Sequence, residues 1–251
     1  MLRLGKDELH GKYALVLGGG KFGTIAARFL AACGSKIIIV DLRDDCEAHD
    51  LVNSVKDPFD QDVELEPGEV VFLACDALDF FERFIEIRIP FIVVTAITKH
   101  FAGIYAERIL KAKHKISSDI TCIADGFDGI AEEIDYGVFE EYGIATASYM
   151  SFGMVCPDDC YPGKVCTVTG KPRGRPMYEI LEDVMSVLDL AVVLPSYQLG
   201  RGVGGVMGED LIRMRDQFER FDEGNCGIAT ACLCHGVINT FRVERRDEEV
   251  S

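Results

Sequence analysis

The segment YALVLGGGKFGTIAARFLAAC at residues 13–33, with KIIIVD at 36–41, limits what this chain can fold into more than any other stretch. Residues 13–17 are a short apolar run suited to a buried parallel strand. Gly18, Gly20 and Gly23 follow in a G-x-G-x-x-G pattern, and the residues after them carry apolar side chains at helical spacing. A second apolar strand then ends in Asp41. Strand, glycine turn, helix, strand and terminal acid, in that order, make the setting in which this glycine pattern binds a dinucleotide.

Each residue type has a physical reason. Gly18 permits the tight turn, Gly20 lets the backbone approach a pyrophosphate, and Gly23 lets the helix pack closely on the strand. The free amides at the helix start, at Lys21 and Phe22, hold the phosphates together with the positive end of the helix dipole. Asp41 accepts hydrogen bonds from the adenine ribose hydroxyls and repels a 2′-phosphate, which favours NAD(H) over NADP(H). Arg43 and Arg28 act against that preference. The other reading of the pattern is a structural glycine turn.

The stretches ALVLGGGKFGTIAARFL and IIIVDLRDD resemble the NAD-binding Rossmann domains of potassium-conductance regulators and of saccharopine-dehydrogenase-like proteins, over about the first 115 residues. GGGK is also similar to the opening of precorrin-2 dehydrogenases, in that segment only. The resemblance implies a doubly wound, mostly parallel α/β sheet with NAD(H) bound at the glycine turn. The alternation continues with strands at 69–76 and 90–96, each followed by a helical pattern. Strand ends in such sheets face the ligand crevice, which brings Cys75, Asp76 and Thr95 toward the cofactor. Lys99 and His100 are then candidate acid/base groups, weighed against a solvated helix start.

Composition narrows the class. With 26 basic and 42 acidic residues the net charge is −16, which repels nucleic-acid backbones. The sequence shows no leader-like or membrane-spanning apolar run, so a cytoplasmic protein with a small-molecule substrate is expected. Self-association is left open. In a reducing compartment ten cysteines point to metal ligation or thiol chemistry rather than a disulfide framework.

The second half is expected to form a cysteine-rich α/β region, 117–251, after a nucleotide-binding domain at 1–116, with the two free to share one sheet. Residues 118–125 and 143–150 read as short strands around an acidic helix or loop. DLAVVLPSYQL (189–199) reads as one strand, GRGVGGVMG as a second glycine loop, 208–221 as a helix and GIATACLC (227–234) as a strand. This is a βαβ-like unit whose loop again has the pattern, at Gly200, Gly202 and Gly205, with Arg201 inside it. An anion or substrate loop is the preferred reading, and Arg173, Arg175 and His235 join it as candidate anion-holding groups. Parallel topology is expected to bring this loop beside the Cys232–His235 segment.

Residues 156–166, CPDDCYPGKVC, place Cys156, Cys160 and Cys166 in a loop turned by prolines and a glycine. Three thiolates need a fourth ligand for zinc or an iron–sulfur cluster, and Cys232, Cys234 and His235 offer candidates. Cys33 and Cys122 read as small core residues. The readings are an NAD(H)-dependent oxidoreductase with a cysteine-ligated metal or iron–sulfur site, a non-catalytic NAD-binding sensor, and a zinc metalloprotein that binds a nucleotide.

Overall fold

A computed structural model describes residues 2–130, 133–151, 153–160 and 163–246. In chain order the regular elements are α1 (Lys6–Leu9), β1 (Tyr13–Leu17), α2 (Lys21–Cys33), β2 (Lys36–Asp41), β3 (Val70–Ala74), α3 (Ala77–Ile85), β4 (Ile92–Thr95) and α4 (Phe101–Lys113). They continue with β5 (His114–Ser118), α5 (Ala124–Asp128), β6 (Asp135–Phe139), β7 (Ile144–Ser148), α6 (Met177–Val184) and β8 (Leu190–Pro195). Last come β9 (Tyr197–Gly200), β10 (Val203–Met207), α7 (Gly208–Glu219), β11 (Gly224–Ala231) and β12 (His235–Arg245). The chain is a mixed α/β protein with two separate sheets in two compact units. No helix among the described residues is long and apolar enough to cross a membrane.

One unit comprises residues 2–101 and 196–211. Its sheet has the order β3-β2-β1-β4-β10-β9, with β3, β2, β1 and β4 parallel and β10 antiparallel to both β4 and β9. Strands β1 and β2 are almost wholly buried, as expected of parallel strands covered on both faces. Helix α2 buries Ala26, Ala27, Leu30 and Cys33 and ends at Gly34, whose φ of 76° gives the left-handed turn that caps it. The carboxylate of Asp76 accepts from the amides of Leu78 and Asp79 and so starts α3.

The other unit comprises residues 102–195 and 212–246 among those described. Its sheet runs β6-β7-β12-β11-β8, with β5 also pairing β12. Strands β8 and β11 pair in parallel, Pro195 opposite Ala231, and the remaining pairs are antiparallel. Its core gathers Ile123, Phe127, Leu181, Met185, Ala229 and Ile238 beneath α6.

Several expectations are corrected. The division falls near residue 101 rather than 116, and residues 196–211 return to the first unit. DLAVVLPSYQL is two strands in two sheets, broken at Ser196. The stretch from 118 to 125 is mainly helical turns rather than a strand, and β6 forms in what read as an acidic helix or loop. Residues 131 and 132 of that stretch lie outside the described residues. The second glycine loop does not form. Gly200 ends β9, Gly202 sits in a hairpin turn with φ 66°, and Gly205 lies within β10. At Gly205 a Cβ would come within 2.8 Å of Ile92, so close packing against β4 explains that glycine without an anion.

Candidate functional site

In the unit built on β1–β4, the glycine turn joins the carboxyl end of β1 to α2. Gly18 has φ 105°, and a Cβ there would lie 2.5 Å from the Ala96 carbonyl oxygen. At Gly19 a Cβ would meet Cys46 Sγ at 2.3 Å, and at Gly23 it would overlap the Gly18 carbonyl oxygen at 1.8 Å. Around Gly20 the space is open, with no atom within 4 Å of a Cβ. The turn is thus packed from below and open at Gly20, the N-cap of α2, which has no capping side chain. This is a donor-rich, close-approach surface suited to a phosphate.

The Gly19 amide donates to Asp41 Oδ2 at 2.7 Å, and the Arg43 amide donates to Asp41 Oδ1 at 2.9 Å. The carboxylate holds the turn in shape, and each oxygen keeps a lone-pair direction for a further donor. Lys21 is exposed and Phe22 is 56% exposed, with Lys21 Nζ 5.6 Å from the Phe22 ring. Arg43 is exposed and pairs loosely with Asp45, at 4.0 Å.

Thr95 ends β4 opposite Leu17, and the segment beyond it starts against Gly18 at Ala96. That segment carries Lys99, exposed, and His100, half-buried. Cys75 follows β3, its amide donating to the Asp41 carbonyl, and burial followed by nearby Asp76 raises its thiol pKa. Asp76 is occupied as the cap of α3. Cys46 and Ala48, beneath Gly19, escaped the sequence reading, because nothing local marks a residue that touches a turn 27 positions earlier. A cavity of about 310 Å³ in this unit opens elsewhere, at the start of β1 and β4, lined by Lys12, Tyr13, Phe91, Met207 and Glu209 among others.

The second unit collects thiols. The turn between β11 and β12 holds Cys232 and Cys234, and His235 begins β12. Cys156 Sγ lies 3.7 Å from His235 Nε2, and Cys232 Sγ lies 3.8 Å from His235 Nδ1. The Cys234 amide donates to Cys232 Sγ at 3.4 Å. Arg173 Nε donates to Cys234 Sγ at 2.8 Å, while its Nη1 donates to the carbonyls of Gly163 and of Val165, the latter at 2.9 Å. Burial, then Cys160, Cys234 and Cys166 nearby, push the Cys156 thiol up to about 12. Burial and Cys232 push Cys234 up to about 11 against the opposing pull of Arg173. Burial, then the Arg173 charge, lower the His235 pKa.

Cys166 is held differently. It sits in a small hairpin in which its amide donates to the Lys171 carbonyl and Gly170 donates back to the Cys166 carbonyl, both at 2.9 Å. Burial raises its pKa, but hydrogen bonds from the Thr169 amide and hydroxyl and the Val168 amide outweigh it, leaving the thiol below its ordinary value. Residues 161 and 162 of the CPDDCYPGKVC stretch lie outside the described residues. Among the described residues no three His, Cys, Asp or Glu side chains already stand in a metal-ligating arrangement.

The candidate anion-holding groups have these partners. Arg175 is paired with Asp183 at 2.8 Å and lies 3.9 Å from Glu179, so its charge serves α6. Arg173 is committed to sulfur and loop carbonyls, and His235 stands between two cysteines. Arg201 lies in the β9–β10 hairpin turn rather than in a glycine loop.

These features define a mixed α/β protein with a glycine-turn unit and a cysteine-rich unit. The chain belongs to the family described as "Uncharacterized protein, C-terminal domain", whose model matches residues 103–244 and so takes in the whole thiol cluster. It is similar to an "Uncharacterized protein" of Archaeoglobus fulgidus, 27% identical over 230 residues, covering 91% of this chain and 98% of that one. No solved structure matches it.

Proposed function

We propose that the chain is an NAD(H)-binding protein of oxidoreductase type, whose dinucleotide site is the Gly18–Gly23 turn of a Rossmann-like, doubly wound unit. One observation carries this reading. The turn opens at the carboxyl end of β1, between β2 and β4 in a parallel 3-2-1-4 order, with Asp41 at the end of β2 bonded to the Gly19 amide. Gly20 admits the pyrophosphate, and the first amides of α2 at Lys21 and Phe22 bind it. Asp41 takes the adenine ribose hydroxyls. When bound, the nicotinamide supplies hydride transfer. Lys99 and His100, beyond β4, would exchange a proton with a small substrate.

Thermal-shift and calorimetric titration of the full chain with NAD⁺, NADH, NADP⁺ and NADPH test the reading. NAD(H) at 100 times its dissociation constant stabilises the folded protein by about 2.7 kcal/mol. Absence of binding by any of the four sinks the proposal. Binding without turnover across a broad panel of small hydroxy, amino and carbonyl compounds leaves a sensor and removes the oxidoreductase part.

A further inference from the structure

We propose that Cys156, Cys160, Cys166 and Cys234 form a tetrathiolate site for one thiophilic divalent cation, zinc(II) or iron(II), and that Cys232 stands outside it. This goes beyond the dinucleotide reading and does not rest on it, since all the groups involved lie in the cysteine-rich unit.

The choice between the last two cysteines follows from the His235 ring. Cys156 contacts Nε2 and Cys232 contacts Nδ1. The two nitrogens of an imidazole direct their bonding positions away from one another, so these two sulfurs flank the ring on opposite sides, with the imidazole between them. Cys234 is free of that obstacle. Its sulfur is tied through Arg173 to the Val165 carbonyl, immediately before Cys166 in the chain. The thiols of Cys160, Cys166 and Cys234 all lie near enough to Cys156 to perturb it, and Cys160 also takes its hydrogen bond.

The surroundings are those a thiolate ligand requires. Amides of Val168 and Thr169 point at Cys166 Sγ from within a hairpin fixed by the Cys166–Lys171, Gly170–Cys166 and Arg173–Lys164 backbone bonds. Four thiols binding one divalent ion release four protons and leave a net charge of −2. The Arg173 guanidinium against Cys234, together with those amides, offsets that charge, as the outer shell of metal sites commonly does. A single tetrahedral ion would hold its thiolates at ~2.3 Å, about 3.8 Å from one another. Closing the site needs side-chain rotation, because the sulfurs are neighbours that do not yet surround one point.

The test is titration of the chelator-treated, reduced full chain with cobalt(II) under anaerobic conditions, followed by zinc(II) displacement. Expected are one cobalt per chain, sulfur-to-cobalt charge-transfer absorption and the ligand-field bands of a tetrahedral tetrathiolate. Cys156→Ser, Cys160→Ser, Cys166→Ser and Cys234→Ser each weaken binding by about 100-fold or more, whereas Cys232→Ser changes it by no more than about 3-fold. Because a ligand variant can fail to fold, alkylation of the unaltered protein is read by mass spectrometry as well. Zinc(II) is expected to protect Cys156, Cys160, Cys166 and Cys234 and leave Cys232 unprotected. No cobalt binding, several irons with acid-labile sulfide per chain, or protection of Cys232 in place of Cys234 overturns the proposal. Loss of binding in His235→Gln with retention in Cys234→Ser does so too. NAD(H) binding, read separately by calorimetry, reports on the other unit and keeps the two proposals distinguishable.

Discussion

The amide of Gly19 donates a 2.7 Å hydrogen bond to Asp41 Oδ2, joining the turn after β1 to the end of β2. One carboxylate therefore shapes the glycine turn and, on the NAD(H) proposal, takes the adenine ribose. Asp41→Asn keeps an acceptor for Gly19 but loses the charge. It is expected to weaken NAD⁺ binding about 10-fold, near 1.4 kcal/mol, and to narrow the preference over NADP⁺, since a 2′-phosphate no longer meets an anion. Calorimetric titration with both nucleotides measures the change. An unaltered ratio of the two affinities would remove Asp41 from the ribose site.

Glycines of the same turn separate structure from binding. Gly23→Ala drives a methyl into the Gly18 carbonyl and is expected to cost roughly 3 kcal/mol or more in urea unfolding. Gly20→Ala meets open space at φ −75° and should cost about 1 kcal/mol or less, as expected at a helix N-cap. Its methyl would stand where the pyrophosphate approaches, so NAD⁺ affinity is expected to fall about 10-fold while the fold persists. If Gly20→Ala binds NAD⁺ normally, the phosphate does not sit at this turn.

Alkaline pH should destabilise the cysteine-rich unit through Cys226, which is fully buried and whose thiol burial pushes up to about 12. Its folded pKa exceeds its unfolded one, so its contribution is complete below the unfolded value and declines as pH rises from there toward 12. Between pH 8 and 10.5 the loss is on the order of 2 kcal/mol for one thiol. Urea unfolding at the two pH values measures it, and Cys226→Ala should reduce the dependence by that share, leaving the part due to Cys156 and Cys234, whose thiols are pushed up to about 12 and about 11. An equal slope in that variant would place the titrating group elsewhere.

Arg173 spans the thiol cluster, reaching Cys234, Gly163 and Val165 with one guanidinium. Arg173→Lys cannot reproduce that planar fork. Faster hydrogen exchange at the Cys166 and Arg173 amides is expected, as is a roughly 10-fold weaker cobalt(II) affinity. Unchanged exchange would mean that the hairpin bonds alone hold the loop.

Much of the glycine-turn unit was legible because its signals are local. β1, α2, β2, β3, α3 and β4 follow apolar runs and helical spacing within single segments, and Gly18, Gly23 and Asp41 lie within 24 residues of one another. The second half was harder to read. β12 was missed because HGVINTFRVER mixes polar and apolar residues, and it becomes a strand only through β5, β7 and β11 on its flanks. GRGVGGVMG fits a phosphate loop in sequence, yet its glycines serve a hairpin packed on β4.

The sequence alone determined that three glycines and an acid would meet at one strand edge, and that thiols would gather in a proline-turned loop. Only the tertiary structure decided that the chain builds two sheets, and that Cys156 faces His235 across 79 positions with Cys232 on the far side of the ring. The reason is the range of the contacts. A turn is set by the φ, ψ and Cβ clashes of neighbouring residues, whereas the company a buried sulfur keeps depends on which distant strands pair.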